Sequence, residues 1–405
     1  MTAITRKLIS NCRICDAENF EDIILLKEMP LTDEFITKEK IGSEFIADIL
    51  ISICKTCGSA QNRNNTEMSD YYFDYTYTVN TSGFALEFMK ILAQNVKLKY
   101  FNNINIPSIL EIGSGTGEQL SEFKKIGFNV VGVEPSEKLS AYANSNGIKT
   151  LNIFFDENTK QITNHTKFDA VVTSYTFDHI PSPVEVLKNI YNILTPEGIL
   201  IIEVHDLELI RERNEFCLFE HEHYTYLNEK TLTSLLNKNQ FEVLTFKLLE
   251  RKDKRANSLL VVAKKTNQII NTEINVLDEI SKLKTLNNDI SNSVSRIEKW
   301  LEENKNFKIM AYGAGGRGIM TIAALKNSSI INCIIDKNPK NINIYSPKSH
   351  LPVFGINHLE TNRPDKILIF SFGYYNEIIN ELINKFNYKE NQFYSILDLL
   401  ETSHA

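Results

Sequence analysis

The sequence lacks any apolar run approaching the roughly 18 residues of a membrane span, and its first dozen residues, MTAITRKLISNC, hold no apolar stretch of signal-peptide length. A cytoplasmic protein with no membrane partner is expected. It also lacks a basic excess. Lys and Arg number 44 against 51 Asp and Glu, a net charge of −7, which is the wrong sign for gripping a phosphate backbone, so nucleic acid is not expected as a partner. Six cysteines in 405 residues are too few for a disulfide-stapled scaffold. Internal repeats and low-complexity tails are missing as well. What remains is 42% hydrophobic and 23% charged, the composition of an ordinary globular chain, at a length that calls for two or three cores.

Residues 1–80 hold short strand-like runs around two cysteine pairs and form a small module. From residue 81 to 266, SILEI, NVVGV, FDAVVTS and GILIIEV alternate with helical patterns, opened by a helix from Gly83. Such alternation predicts an α/β fold with a doubly wound parallel sheet. Residues 267–306 read as a helical connector, with a break near Asn287-Asn288. Residues 307–405 alternate again and predict a smaller α/β domain.

Four cysteines fall in close pairs, Cys12 with Cys15 and Cys54 with Cys57. In a reducing compartment CxxC…CxxC favours a metal, and four thiolates fill a tetrahedral zinc shell with no position left for substrate, so a structural zinc is expected. The alternatives are a thioredoxin-like redox pair, which lacks its βαβ context here, and four unrelated buried thiols.

Glu111-Ile112-Gly113-Ser114-Gly115-Thr116-Gly117 runs from a strand into a helix, and Glu134 ends the next strand. The glycines let a ligand approach the backbone, and an acid at Glu134 can accept from ribose hydroxyls. With the later FDAVV and LTPEGILIIEV, this pattern resembles the class I S-adenosylmethionine-dependent methyltransferases. A dinucleotide enzyme is the alternative.

Half of the chain's eight histidines, His179, His205, His221 and His223, lie between residues 179 and 223. His179 follows one central strand, and Glu220-His221-Glu222-His223 follows another, so both stretches fall where open α/β sheets bind ligands. A carboxylate beside an imidazole fixes its tautomer, which makes Glu222 with His223 a candidate acid–base pair. The alternatives are a solvated polar loop, histidines with structural hydrogen bonds, and a weakly specified metal site.

The order of parts, ending in Tyr312-Gly313-Ala314-Gly315-Gly316-Arg317-Gly318, resembles the deoxysugar C-methyltransferases. That resemblance implies a zinc-binding N-terminal domain, a class I methyltransferase domain and a Rossmann-like C-terminal domain acting on nucleotide-linked 4-keto sugars. Tyr75 and Tyr77 with Ser82, and Asp336-Lys337-Asn338-Pro339, are similar to further family motifs. Several positions depart. Val79 and Asn80 replace serines, Glu220 stands for a tyrosine, Tyr175 for an asparagine, Arg317 for a lysine, and Arg255-Ala256-Asn257-Ser258 for H-G-G-S.

The resemblance implies S-adenosylmethionine at Glu111, Gly113, Ser114, Gly115, Gly117 and Glu134. It implies zinc on Cys12, Cys15, Cys54 and Cys57, and substrate near Tyr75, Ser82, Tyr175, Glu220, His221 and Arg317. A C–H bond beside a ketone needs a base and an enolate stabiliser. His223 is expected to be the base, oriented by Glu222, with His179 and Tyr77 at the enolate oxygen. A sugar O-methyltransferase, an epimerase-like enzyme that only enolises, and a non-catalytic binding protein are the other readings. The expected partner is a nucleotide-sugar, and the expected state is a monomer or weak dimer.

Overall fold

The computed structural model describes residues 6–32, 34–73, 83–156, 167–337, 344–371 and 374–400. Its central sheet has seven strands, in the order Phe241–Thr245, Ser258–Lys265, Leu194–His205, Phe168–Ser174, Ser108–Ile112, Asn129–Val133 and Thr150–Leu151. The five from Leu194–His205 onward are parallel, and the first two add antiparallel to that edge. Apolar residues occupy both faces of the middle strands, as helices on both sides require. Leu110, Val171, Leu200 and Ile202 pack on one side, and Ile109, Ala170, Val172 and Ile201 on the other.

The N-terminal sheet runs Phe20–Pro30, Ile46–Cys54, Ala60–Asn62, then Thr225–Tyr226. Its last strand comes from the central domain, immediately after the Glu220–His223 stretch. That stretch is thereby clamped between two domains. The C-terminal sheet has six strands, parallel except for Ile344–Tyr345 at one edge.

One helix, Val276–Glu303, spans the connector without a break, which corrects the interruption expected at Asn287-Asn288. Two asparagines cost a helix only about 1 kcal/mol together. Buried Leu283, Leu286, Ile290, Ile297 and Leu301 each offset that with about 1.5 to 3 kcal/mol. The same apolar cluster contains Ile24 and Ile51 of the N-terminal sheet, Phe216 and Phe219, and Met320 of the C-terminal domain. No helix among the described residues is long and apolar enough to cross a membrane.

Candidate active site

Strand Ser108–Ile112 ends in a turn whose Gly113, Gly115 and Gly117 all have positive φ, at 72°, 53° and 87°. Their reasons differ. A Cβ on Gly113 would lie 2.3 Å from Thr176 Oγ1, and one on Gly117 would lie 3.2 Å from Ile148, whereas one on Gly115 would meet nothing within 4 Å. Gly115 is therefore where a ligand can reach the backbone, and Ser114 beside it is buried. Glu134 accepts from Gly115 N and Ser136 N, each at 2.9 Å, which leaves its carboxylate further lone pairs. Burial raises its pKa despite both N–H groups.

Glu111 accepts from Gln119 Nε2 at 2.7 Å, while its Oε2 is buried with no hydrogen-bond partner among the described residues. Burial pushes this carboxyl well above the ordinary range. An orphan acidic oxygen, an open glycine and a strand-end carboxylate fit a cationic donor that carries a ribose.

One strand over, three imidazoles meet. The His179 and His223 ring centroids are 4.5 Å apart at 83°, and those of His205 and His223 are 4.9 Å apart. His223 is buried, and its Nδ1 lies 2.9 Å from the Leu218 carbonyl, which can only accept. Nδ1 therefore carries the proton and Nε2 the lone pair. The Leu218 carbonyl, not Glu222, fixes this tautomer, which corrects the expected role of Glu222. Glu222 lies close by: one of its oxygens and a ring nitrogen from each of His179 and His223 fall within 4.8 Å of one another. His179 Nδ1 is 2.9 Å from the Tyr72 hydroxyl, and burial together with the His223 charge pulls its pKa down to about 3.

His221 does not join this group. Glu220 to Glu222 form a turn rather than extended chain, so alternate side chains do not share a face. Nε2 of His221 donates to the Met29 carbonyl at 2.9 Å, and its ring packs edge-on to Phe45 in the N-terminal domain. Its expected substrate contact is corrected to a structural one. Glu220 lies between the imidazoles and the C-terminal domain. Its Oε2 is 4.0 Å from His223 Nε2, and its Oε1 is 3.0 Å from where a Cβ on Gly316 would sit.

Tyr175 follows its strand with φ 48°, a left-handed conformation that is costly for a bulky residue. This sets its ring 4.5 Å from His205 and 4.8 Å from the Arg255 guanidinium. Arg255 in turn pairs with buried Glu203 at 2.8 Å. Arg317 lies 3.5 Å from buried Glu215. Tyr75, Tyr77 and Ser82 lie outside the described residues. Sequence reasoning gave no role to Asp178, His205, Glu203 or Tyr72. The strand-end position of His205 was a usable signal, and Asp178 is visible only through the register of its strand against the neighbour.

The second glycine turn follows Ile309–Tyr312. Asp336, at the end of Ile331–Asp336, accepts from Ala314 N at 2.7 Å. A Cβ on Gly318 would fall 2.2 Å from the Gly313 carbonyl oxygen, whereas one on Gly315 would meet nothing within 4 Å. A cleft of about 350 Å³ beside this turn is lined by Asp336, Lys337, Gly355, Ile356, Asn357 and Glu381.

The four Sγ atoms of Cys12, Cys15, Cys54 and Cys57 lie within 4.8 Å of one another, with Cys12 to Cys57 at 3.7 Å and Cys15 to Cys54 at 3.5 Å. Tetrahedral zinc at its usual Zn–S length separates sulfurs by about 3.8 Å, so the donor set fits the ion. Gln61 Nε2 and the Ile14 N–H both point hydrogens at Cys12 Sγ, as a thiolate ligand requires.

Three family profiles match in sequence order: a zinc binding domain over residues 12–72, a methyltransferase domain over 85–245, and a C-methyltransferase C-terminal domain over 248–396. The chain belongs to the methyltransferases, and a zinc binding domain match precedes that domain while a C-methyltransferase C-terminal domain match follows it. Its N-terminal part matches a zinc binding domain in which the four clustered cysteines could hold the ion, and its central domain is an S-adenosylmethionine-binding methyltransferase domain. It is similar to the C-methyltransferase NovU of Streptomyces niveus, 26% identical over 58% of this chain and 57% of that one. An uncharacterized methyltransferase of Staphylococcus carnosus is 30% identical over 32% of this chain and 70% of that one. The chain spans about half the length of the first curated relatives it matches. The plantazolicin methyltransferase BpumL, solved with SAH, aligns at 16% identity and a TM-score of 0.38 over 50% of this chain and 90% of that one.

Proposed function

We propose that the protein methylates a carbon adjacent to a ketone on a nucleotide-linked keto-deoxysugar, using S-adenosylmethionine. The observation that carries this reading is the buried His223, its Nδ1 held by a backbone carbonyl and its Nε2 left as an acceptor, packed against His179, which follows the strand next to that of the central glycine turn. Either an oxygen or a carbon nucleophile needs a base, and a carbon acid beside a ketone needs in addition a partner for the oxyanion that forms, which the neighbouring His179 can supply. When bound, S-adenosylmethionine supplies an electrophilic sulfonium methyl.

His223 Nε2 takes the proton from carbon. His179 is the donor to the developing oxyanion. With the Tyr72 hydroxyl donating to its Nδ1, Nε2 bears the hydrogen, and a pKa pulled down to about 3 by burial keeps the ring neutral. Glu222 contributes an acceptor to the same pocket. Tyr175 and Glu220 bound the sugar, while the roles expected of Tyr75 and Ser82 at the sugar and of Tyr77 at the enolate oxygen fall outside the described residues. Gly315 and the start of helix Gly316–Ala324, with Arg317, receive the diphosphate, and the cleft beside Asp336 receives the nucleoside.

A mass-spectrometric screen of nucleotide-linked keto sugars with ¹³C-methyl donor, followed by NMR, tests this. Label on the carbon next to the ketone is the expected outcome. Label on oxygen makes the protein an O-methyltransferase, and an isomerised product of unchanged mass makes it an enolising enzyme.

A further inference from the structure

His205 and Asp178 play no part in the reading above, yet both sit at the reacting end of the sheet. His205 ends strand Leu194–His205, and Asp178 lies in the turn after Phe168–Ser174, so the parallel register with Glu203 opposite Ser174 brings them together. His205 Nδ1 is 2.8 Å from Asp178 Oδ2. Burial alone would raise the Asp178 pKa, but the hydrogen bond from His205 and the neighbouring imidazoles outweigh it and hold the carboxyl well below its ordinary range. The carboxylate is then the acceptor, Nδ1 carries the hydrogen, and His205 Nε2 holds a lone pair. A ring nitrogen from each of His205 and His223 and one Asp178 oxygen all lie within 4.8 Å of one another. The His205 side chain is 17% exposed against 4% for His223, so it is the one nearer water.

We propose that His205, positioned by Asp178, carries the abstracted proton from His223 to solvent; this rests on the reading of His223 as the carbon base. The C–H electron pair stays behind as the enolate, and the proton goes to His223 Nε2 while Nδ1–H remains on the Leu218 carbonyl. It then passes to Nε2 of His205, whose pKa burial lowers although the paired Asp178 carboxylate opposes that, so His205 holds it only briefly before it leaves to water and no further reactant is consumed. Three other titratable groups lie beside His223. Glu220 Oε2 is 4.0 Å away and a Glu222 oxygen lies within 4.8 Å, both carboxylates, a group ordinarily less basic than an imidazole, and the pKa of His179 is pulled down to about 3 by burial and the His223 charge.

The test compares two rates in the wild type, His205→Gln, Asp178→Asn and His223→Asn, using the keto sugar that the wild type methylates. One is single-turnover methyl transfer. The other is washout of the substrate's acidic hydrogen into D₂O with S-adenosylhomocysteine in the donor site. His205→Gln should keep the first turnover within about twofold of wild type, yet lose washout and repeated turnover by about tenfold or more, because the proton returns to carbon before it can exchange. Asp178→Asn should shift both in the same sense by less, and it keeps the proposal testable if His205→Gln folds poorly. Unchanged washout in both variants, or washout and first turnover falling together, overturns the relay. His223→Asn separates the two claims. If it keeps both rates the base assignment fails, and if it loses both while His205→Gln behaves as wild type, only the relay fails.

Discussion

The two glycine turns are built alike and surrounded differently. In each, a parallel strand enters a helix through glycines, and an acid ending the next strand, Glu134 or Asp336, accepts a backbone N–H of the turn. Each also has one glycine with open space beside it, Gly115 or Gly315. Two residues before the first glycine, however, the central turn has the buried Glu111, while the C-terminal turn has Ala311. The C-terminal helix instead carries Arg317 in its first turn. An acid-lined turn suits a cation, whereas a helix start with a guanidinium suits an anion. The backbone device is shared, and the side chains around it set the sign of what it holds.

The largest effect should separate glycines that close a turn from glycines that admit a ligand. Gly318→Ala puts a Cβ 2.2 Å from a backbone oxygen that has nowhere to go, and it should cost roughly 3 kcal/mol or more in denaturant unfolding. Gly315→Ala, at φ −75° with open space around it, should cost less than about 0.5 kcal/mol. Equal midpoints for the two variants would break the comparison.

Next in size, Glu134→Ala should weaken donor binding by about tenfold or more in calorimetry, the expected loss for a charge-assisted hydrogen bond, and leave the acceptor KM alone. The mirror experiment uses the folded Gly315→Ala. Its acceptor KM should rise by roughly three- to tenfold, with donor affinity unmoved. Donor affinity that falls with it would mean the two turns do not divide the ligands.

The smallest effect concerns pH. Burial raises the folded-state pKa of Glu111, so its contribution to stability is present at low pH and is lost as pH rises through that elevated value. Glu111→Gln keeps an oxygen for Gln119 and removes the ionisation. Its unfolding midpoint relative to wild type should therefore climb between pH 5 and 9, and a pH-independent difference would show that Glu111 is ionised throughout.

The central glycine turn and the four-cysteine cluster were legible in the sequence because their chemistry is local. Glycines, cysteine pairs and a strand-end acid keep their meaning at fixed spacing. The imidazole cluster was legible only as a concentration of histidines. Which of them meet depends on the turn at Glu220 to Glu222, which sends His221 to Met29, and on Leu218, whose carbonyl takes the role expected of Glu222. A carbonyl acceptor leaves no trace in side-chain identity. The Asp178–His205 pair needed the strand register, and the unbroken helix Val276–Glu303 needed the packing that outweighs Asn287 and Asn288.

The most direct test of the account is single-turnover methyl transfer by His223→Asn, measured beside its donor affinity. The account predicts transfer to carbon slowed by about 10² to 10⁴-fold with donor binding within about twofold of wild type. Transfer to carbon at the wild-type rate would contradict it.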